Sequence, residues 1–214
     1  MGTITALRFQ KHAKDRVNVY LDGEYAFGLT AVKAAGLHHG EVLSDAKIAA
    51  FKKQDQQDQA FDRAVRFLSY RPRSRAEMQR YLRRKGSGDP VLSDVMDRLQ
   101  QAGYLDDAAF ARFWVDNRQR FRPRGQRVLG YELRQKGVCS QTIVTALHDL
   151  DEEKAAWEAL EGRLSRWNGL TSEQLRPKVT AFLQRRGFDY EVIHLTFQRA
   201  YQTLGLSDSD ELRT

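Results

Sequence analysis

The sequence contains one motif three times, as Leu82-Arg83-Arg84-Lys85-Gly86, Leu133-Arg134-Gln135-Lys136-Gly137 and Leu183-Gln184-Arg185-Arg186-Gly187. The glycines are 51 and then 50 residues apart, from 86 to 137 and from 137 to 187. Glycine readily adopts the left-handed conformation that ends many helices, and cations are favoured at the negative end of the helix dipole. Each copy therefore predicts a helix C-terminus, and the spacing indicates an internal repeat of about fifty residues.

The helices on either side of each glycine follow the same register. Apolar residues stand six and ten positions after every glycine: Leu92 and Met96, Ile143 and Leu147, Ile193 and Phe197. Helical patterns also precede the copies, over Gln59–Tyr70, Asp107–Phe121 and Glu152–Trp167. A unit of three helices is thus predicted three times. Because three short helices bury little on their own, we expect neighbouring units to stack into a curved array.

Helix starts are indicated by capping residues. Ser74 and Glu77 have capping-box spacing, and Asp89 precedes Pro90 as an N-cap precedes a proline in the first helical turn. Asp106 is the expected N-cap of the first helix of the second repeat.

Alternating apolar and polar residues predict a β-hairpin in the first forty residues, with Asp22-Gly23 between its strands. A two-residue loop would place Val19 opposite Ala26 and split the apolar residues between the two faces. We therefore expect a three-residue loop, Leu21-Asp22-Gly23, which pairs Val19 with Tyr25 and Val17 with Phe27. A third strand and a short helix are expected from Ile4, Ala6 and Phe9 and from Thr30–Ala35.

The fold class is therefore mainly α, with three tandem three-helix repeats behind a small N-terminal β-hairpin segment. The expected domains are the hairpin segment at 1–43, a leading helix with repeat 1 at 44–105, repeat 2 at 106–150, a divergent repeat 3 at 151–204 and a tail at 205–214. The polar stretch Lys52–Gln59 fits either a linker or an exposed helical turn. Since the chain has one cysteine and no run of 18 apolar residues, we expect a reduced, cytoplasmic protein without a membrane span.

Candidate catalytic and metal-binding residues are few. Cys139 and His148 are nine residues apart, which is not a helical facing distance, so Cys139 is expected to be a small buried residue at a turn. The five histidines lack the i, i+4 pairing of helical metal ligands, and no G-x-x-x-x-G-K-[ST] phosphate loop occurs. These patterns predict a non-enzyme that needs no metal or cofactor.

Basic residues are concentrated in the middle of the chain. Residues 60–150 hold 18 basic and 10 acidic side chains, a net +8 in a chain whose total is +7. Two Arg-Pro-Arg corners, at 71–73 and 122–124, stand 51 residues apart between the first and second helices of their repeats. Proline keeps the residue before it out of the helical conformation, so the guanidinium groups splay from a rigid corner, where they suit bidentate contacts to carboxylates or phosphates.

The candidate binding surface for a polyanion or an acidic partner consists of the cations in and beside these corners: Arg71, Arg73, Arg75, Arg83, Arg84, Lys85, Arg122, Arg124, Arg127, Arg134 and Lys136. For any one of them the alternative is a structural role, in which it caps a carbonyl or bridges adjacent repeats. Repeat 3 has no matching corner, and residues 151–214 hold 9 basic and 11 acidic side chains, a net charge of −2. This part of the chain is therefore expected to contribute through Arg185 and Arg186 only.

Nine aromatic residues of the repeats fall at helical spacing: Tyr70, Tyr81, Tyr104, Phe110, Phe113, Trp114, Phe121, Tyr131 and Phe182. Rings of this kind can stack on nucleic-acid bases. Their spacing favours core positions between helices, which is how we interpret most of them.

Several of these motifs, in this order, resemble the RecX family of recombination regulators. The residues that carry the resemblance are Arg71-Pro72-Arg73-Ser74, Leu82-Arg83-Arg84-Lys85-Gly86, Ala102-Gly103-Tyr104-Leu105-Asp106-Asp107, Phe110-Ala111-Arg112, Phe121-Arg122-Pro123-Arg124-Gly125 and Glu132-Leu133-Arg134-Gln135-Lys136-Gly137-Val138. The match is strong over residues 60–150, and residues 151–204 resemble a divergent third repeat.

The resemblance implies a cytoplasmic bacterial protein that binds the filament of the RecA recombinase and modulates it, commonly by suppressing its ATPase, strand exchange and growth. Inhibition is the expected direction, with stabilisation of the filament as the alternative, and we expect the protein to be a monomer. The resemblance also implies binding of single- or double-stranded DNA without sequence preference. Two alternatives are a sequence-independent DNA-binding repeat module and a repeat scaffold for acidic proteins unrelated to recombination.

Overall fold

A computed structural model describes residues 1–11 and 15–205, so most of the expected tail lies outside the described residues. The chain divides into two compact units. The first comprises Met1–Arg71 and Met78–Leu105, and the second comprises Pro72–Glu77 with the residues from Asp106 onward. Among the described residues, no helix has both the length and the apolar character that crossing a membrane requires.

The first unit opens with a four-stranded antiparallel sheet in the order β3-β2-β1-β4. Its strands are β1 (Gly2–Phe9), β2 (Arg16–Leu21), β3 (Glu24–Thr30) and β4 (Val42–Leu43). The expected third strand is confirmed as β1, and the expected short helix as α1 (Ala31–Ala34). β4 is only two residues long and has no alternation from which it could be predicted.

The expected hairpin register is wrong. The loop has two residues, since Leu21 pairs with Glu24, and both Asp22 and Gly23 have positive φ, as a tight hairpin turn requires. An irregularity between Val19 and Tyr20 then shifts the pairing, so that Val19 lies opposite Phe27 and not Ala26. A bulge of this kind adds one residue to one strand, which returns the apolar side chains to a common face without lengthening the loop.

The polar stretch Lys52–Gln59 lies in the middle of one long helix, α2 (Asp45–Leu68), and is therefore helical and not a linker. Asp55 in this stretch is buried and forms an ion pair with the equally buried Arg16 of β2. The second Asp55 oxygen accepts the backbone N–H of Gly28 in β3 at 2.8 Å. Unpaired charges are costly to bury, so these contacts explain why carboxylates occupy the face of α2 that packs against the sheet.

A second buried carboxylate, Asp58, joins α2 to two other helices of the first unit. Arg98 of the helix α4 (Asp89–Gln101) donates to it at 3.0 Å, and the Lys33 ammonium of α1 lies 3.4 Å away. The Arg98 guanidinium also lies over the ring of Phe61, 4.4 Å from the ring centroid. The N-terminal segment and the first repeat are thus connected by ionic contacts in addition to apolar packing.

The three predicted three-helix repeats are present. Repeat 1 consists of the C-terminal half of α2 with α3 (Arg75–Arg84) and α4 (Asp89–Gln101). Repeat 2 consists of α5 (Asp107–Phe121), α6 (Gln126–Gln135) and α7 (Ser140–Leu147). Repeat 3 consists of α8 (Glu152–Leu164), a 3₁₀ turn (Ser165–Trp167), α9 (Ser172–Arg186) and α10 (Tyr190–Thr203). The curvature of the array stays a prediction.

The register inferred from the glycines is confirmed in all three repeats. The apolar residues six and ten positions after each glycine are buried: Leu92, Met96, Ile143, Leu147, Ile193 and Phe197. Gly86, Gly137 and Gly187 have φ values of 81°, 79° and 90°. After each glycine, the next residue's N–H returns to the carbonyl of the motif's leucine, at 3.1, 3.1 and 3.3 Å. This is the bond that closes a Schellman helix end.

The predicted helix starts are largely confirmed. Ser74 and Glu77 exchange capping-box contacts, with the Glu77 N–H 3.1 Å from the Ser74 Oγ. Asp89 is the exception, because α4 begins at Asp89 itself and Gly88 is its N-cap. Pro90 is therefore the second helical residue, a position that needs no backbone N–H donor.

Asp106 caps α5 by accepting the N–H groups of Ala108 at 2.7 Å and Ala109 at 3.0 Å. We expect Asp106→Ala to lower the free energy of unfolding of the second unit by about 1 kcal/mol at neutral pH. Hydrogen bonds from Ala109 and Ala108 lower the pKa of Asp106 below its ordinary value. The stabilisation is therefore present above the unfolded-state pKa and is lost as the pH falls through the folded-state pKa.

The measurement is urea unfolding followed by tryptophan fluorescence, since Trp114, Trp157 and Trp167 all lie in the second unit. Asp106→Asn is the matched control, because asparagine caps a helix without a carboxylate charge and should cost less than alanine. A difference between Asp106→Ala and the wild type that stays constant from neutral to strongly acidic pH would contradict the expectation.

Candidate partner-binding surface

The cations predicted to bind a partner fall into two groups, one held by contacts inside the protein and one exposed. Lys136 belongs to the first group. Its ammonium forms a 2.9 Å ion pair with Glu77 and lies 4.9 Å from the centroid of the Trp114 ring. Only 26% of the Lys136 side chain is exposed. Lys136 therefore joins α6 to the segment 72–77 of the same unit.

These contacts form what we call the first joint, made by Ser74, Ala76 and Glu77 with Lys136 and Gly137. The Ser74 Oγ donates to the Lys136 carbonyl at 2.6 Å. Gly137 lies so close to Ala76 that a Cβ atom on the glycine would stand 2.4 Å from the Ala76 Cβ. The C-terminus of α6 thus packs against the N-terminal turn of α3.

The second joint repeats this arrangement between repeats 2 and 3 and consists of Pro123, Gly125 and Val128 with Arg186 and Gly187. The Arg186 guanidinium donates to the Pro123 carbonyl at 2.9 Å, and the Gly125 N–H donates to the Arg186 carbonyl at 3.0 Å. A Cβ on Gly187 would stand 2.5 Å from the Val128 side chain and 2.8 Å from its backbone nitrogen. The motif that ends α6 therefore also packs against the segment 72–77, and the motif that ends α9 packs against the corner of repeat 2.

Arg186 is consequently held by a contact within the protein and is less accessible to a partner than the sequence predicts. It is half-buried, and burial together with the neighbouring Arg163, Arg124 and Arg122 lowers its pKa from the ordinary arginine value. Arg185, the other expected contribution of repeat 3, is exposed. The close approach of Arg122, Arg124 and Arg186 makes the second corner strongly electropositive.

Arg124 is held by a carboxylate that the sequence analysis did not single out. Glu132, of which only 16% is exposed, accepts from Arg124 at 2.9 Å and from Arg118 at 2.8 Å. The same carboxylate accepts the indole N–H of Trp114 at 2.7 Å. Residues 118–136 contain seven cations and a single acid, Glu132. This is the signal that could have identified the cluster, because a carboxylate in such surroundings pairs readily.

The exposed group contains Arg122, Arg127 and Arg134 in the second unit and Arg83, Arg84 and Lys85 in the first. Arg127 makes one long contact, 3.3 Å to the Gln184 carbonyl, and Arg83 lies 3.6 Å from Asp89. Arg71, Arg73 and Arg75 are half-buried and already interact with other groups of the protein. The accessible parts of the predicted surface are therefore the end of α3 and the three exposed arginines of repeat 2.

Most of the nine aromatic residues do not lie in the core, contrary to the prediction from their helical spacing. Phe110 and Phe182 are buried as expected, and Tyr81 and Trp114 are partly buried. Five others are exposed: Tyr70, Tyr104, Phe113, Phe121 and Tyr131. Helical spacing fixes the face on which a ring lies but does not fix whether that face is covered.

Cys139 is exposed and not buried, contrary to expectation, and is the N-cap residue of α7. Its thiol lies 3.2 Å from the Thr142 hydroxyl, and hydrogen bonding to Thr142 lowers the pKa of the Cys139 thiol. Over residues 1–11 and 15–205, no three His, Cys, Asp or Glu side chains are grouped so that they could hold a metal ion.

Tandem three-helix units with a small β-sheet leader, with glycine-ended helices and exposed arginines, define a helical-repeat protein. Family models match four parts of the chain: the RecX N-terminal domain at 2–44, and the first, second and third RecX three-helix domains at 60–99, 106–147 and 151–195. The chain belongs to the RecX family, whose curated members bear the name regulatory protein.

Individual relatives agree with this assignment. Regulatory protein RecX of Bacillus subtilis (strain 168) is 34% identical over 198 residues, which cover 90% of this chain and 75% of the relative. The Lactobacillus johnsonii protein of the same name is 32% identical over 90% of this chain and 72% of its own. A crystal structure of regulatory protein RecX superimposes with a TM-score of 0.72 at 25% identity, covering 97% of this chain and all of the other. The RecX structure from Lactobacillus salivarius, 21% identical over 70% of this chain and 99% of its own, gives a TM-score of 0.63 and has a similar fold.

Proposed function

We propose that this RecX-family protein is a non-catalytic regulator that binds the filament of the RecA recombinase, and also DNA, and inhibits the filament's ATPase, strand exchange and growth. Membership in a family of regulatory proteins supports a regulatory role. Because its proposed partner works on chromosomal DNA, the protein would act in the cytoplasm. We expect it to act as a monomer. The proposed contacts are electrostatic, made by the exposed cations to carboxylates or phosphates.

The observation that carries the proposal is the free basic end of α3. The equivalent helix ends in repeats 2 and 3 form part of the two joints. A Cβ atom added to Gly137 would lie 2.4 Å from the Ala76 Cβ, and one added to Gly187 would lie 2.5 Å from the Val128 side chain. At Gly86 a Cβ would meet no atom of the described residues within 4 Å, and the preceding Arg83, Arg84 and Lys85 are exposed. Arg83 lies 3.6 Å from the likewise exposed Asp89, and the three adjacent cations together form the part of the predicted surface best suited to a partner.

The test is DNA-dependent ATP hydrolysis by RecA, with this protein titrated at concentrations well below that of the recombinase. We expect wild-type protein to inhibit at substoichiometric amounts. Arg84→Glu/Lys85→Glu should raise the half-inhibitory concentration at least about tenfold, because two charge-assisted contacts are replaced by repulsion. Arg122→Glu/Arg134→Glu tests the second unit in the same way.

The matched control is Lys52→Glu/Lys53→Glu, which makes the same change in net charge at two exposed positions of α2. If the control loses inhibition as strongly as Arg84→Glu/Lys85→Glu, net charge and not the α3 end is responsible. Arg124 and Lys136 are unsuitable for charge reversal, since their partners Glu132 and Glu77 would face a second carboxylate.

The second candidate function, a sequence-independent DNA-binding module, is favoured by the electropositive second corner. It predicts tight binding to bare DNA whose affinity falls steeply with salt, without an effect on ATP hydrolysis beyond competition for DNA. A protein that affected neither DNA nor filaments would instead fit a scaffold for other acidic proteins.

A further inference from the structure

Two exposed aromatic rings occupy equivalent positions in repeats 1 and 2. Tyr70 follows the end of α2 and is 77% exposed, and Phe121 is the last residue of α5 and is 68% exposed. They are 51 residues apart, the same interval as the repeat, and each directly precedes an Arg-Pro-Arg corner. An exposed ring contributes little burial free energy to folding, so packing does not explain why a large ring stands there twice.

All charged residues close to the two rings in the sequence are arginines. Residues 63–75 around Tyr70 contain five arginines and no carboxylate, and so do residues 117–127 around Phe121. The guanidinium of Arg120 lies 5.4 Å from the centroid of the Phe121 ring. Each ring is thus an exposed flat surface whose charged neighbours in the sequence are all arginines, and at Phe121 the structure places one of them beside the ring.

In repeat 3 the aromatic residue at the equivalent position packs against the core. This residue, Trp167, is only partly exposed and contacts Phe182 edge-on, with ring centroids 6.2 Å apart. Asn168 and Gly169 follow it where the other repeats have arginine and proline. The ring is partly buried where the corner arginines are missing and exposed where they are present.

We propose that Tyr70 with Arg71 and Phe121 with Arg122 are stacking sites for the bases of single-stranded nucleic acid. The inference deepens the nucleic-acid part of the proposed function and rests on it. Sites for single strands combine positive charge that follows the backbone with isolated aromatic rings on which bases stack. Aromatic residues that bind proteins more typically lie at the centre of an apolar, well-packed patch, and these rings have arginines around them instead.

Stacking separates single strands from duplexes, because the bases of a duplex are already stacked on each other and offer no free face. The arginines alone would bind both forms through phosphates. The rings therefore add a preference for single strands, without sequence readout, to a surface that otherwise responds to charge.

The experiment is fluorescence anisotropy of a labelled oligo(dT) strand with the full chain, in the absence of recombinase. Tyr70→Ala and Phe121→Ala should each weaken binding at least about fivefold, and the double variant more than either. Phe121→Tyr, which keeps a ring, should bind like the wild type. Phe9→Ala removes an equally exposed ring, 68% accessible, outside both corners and should have no effect.

An abasic strand of the same length separates stacking from backbone contacts. We expect the wild type and both alanine variants to bind it with similar, weaker affinity, and thermal unfolding to show that the variants fold normally. Unchanged oligo(dT) affinity in the double variant, or an equal loss on the abasic strand, overturns the inference. Loss of filament inhibition with oligo(dT) binding intact also overturns it and makes the rings protein contacts. Loss of oligo(dT) binding without any wild-type effect on ATP hydrolysis upholds the stacking sites and removes only the filament part of the proposed function.

Discussion

Asp55→Ala is expected to lower the stability of the first unit by about 3–5 kcal/mol, the usual cost of removing one partner of a buried ion pair. The substitution leaves the Arg16 guanidinium buried beside α2 and takes away the acceptor of the Gly28 N–H. The position of α2 on the sheet depends on both contacts. Amide hydrogen exchange in β2 and β3 should therefore become faster by several orders of magnitude, while exchange in the second unit stays nearly unchanged.

Three further variants isolate the cause. Asp55→Asn keeps an oxygen for the Gly28 N–H and should cost less than Asp55→Ala, whereas Asp45→Asn, at an exposed position of the same helix, should cost at most about 1 kcal/mol. Arg16→Ala/Asp55→Ala should be less destabilising than the sum of the single variants, because no unpaired charge remains buried. Additive losses would show that Arg16 and Asp55 act independently and would refute the ion-pair explanation.

Gly187→Ala is expected to destabilise the second unit by about 2–5 kcal/mol. One part, about 1–2 kcal/mol, is the cost of holding a non-glycine residue in the left-handed conformation at φ 90°. The other part, about 1–3 kcal/mol, is overpacking, because the new Cβ would stand 2.8 Å from the backbone nitrogen of Val128, which cannot rotate away. Urea unfolding followed by tryptophan fluorescence measures the sum.

Gly169→Ala supplies the matched control within the same unit. Gly169 has φ 84°, nearly the same as Gly187, but a Cβ there would meet nothing within 4 Å. It should therefore lose the conformational part only. Equal destabilisation by the two substitutions would mean that the second joint tolerates a methyl group and that the close approach of repeats 2 and 3 contributes nothing to stability.

The joints change how the basic residues are interpreted. The sequence offered two roles for each cation, partner binding or bridging between repeats, and the structure shows internal contacts for some of these cations and exposed side chains for others. Lys136 and Arg186 bridge in equivalent places, and Arg124 pairs within its repeat. Lys85 occupies the same motif position in repeat 1 but is exposed, because among the described residues the end of α3 forms no such joint.

The local patterns of the sequence were sufficient for the repeat, the class of fold and the family. Helical periodicity, the glycines at helix ends and the caps at Ser74 and Asp106 are properties of neighbouring residues, so they can be recognised without knowing what lies opposite them. The hairpin was identified for the same reason, and its register was not. Whether Val19 faces Ala26 or Phe27 depends on a bulge, which a purely alternating pattern does not reveal.

Only the tertiary structure decided which polar and aromatic side chains are covered. Asp55 lies in a stretch that looks like a solvated helical turn, yet it is buried because Arg16, 39 residues away, completes its charge. Tyr70 and Phe121 have the spacing of core residues and are exposed, whereas Trp167 at the equivalent position of repeat 3 packs against the core. Sequence periodicity determines the direction in which a side chain leaves its helix. Burial and charge pairing are properties of two surfaces together, and the second surface comes from a distant part of the chain.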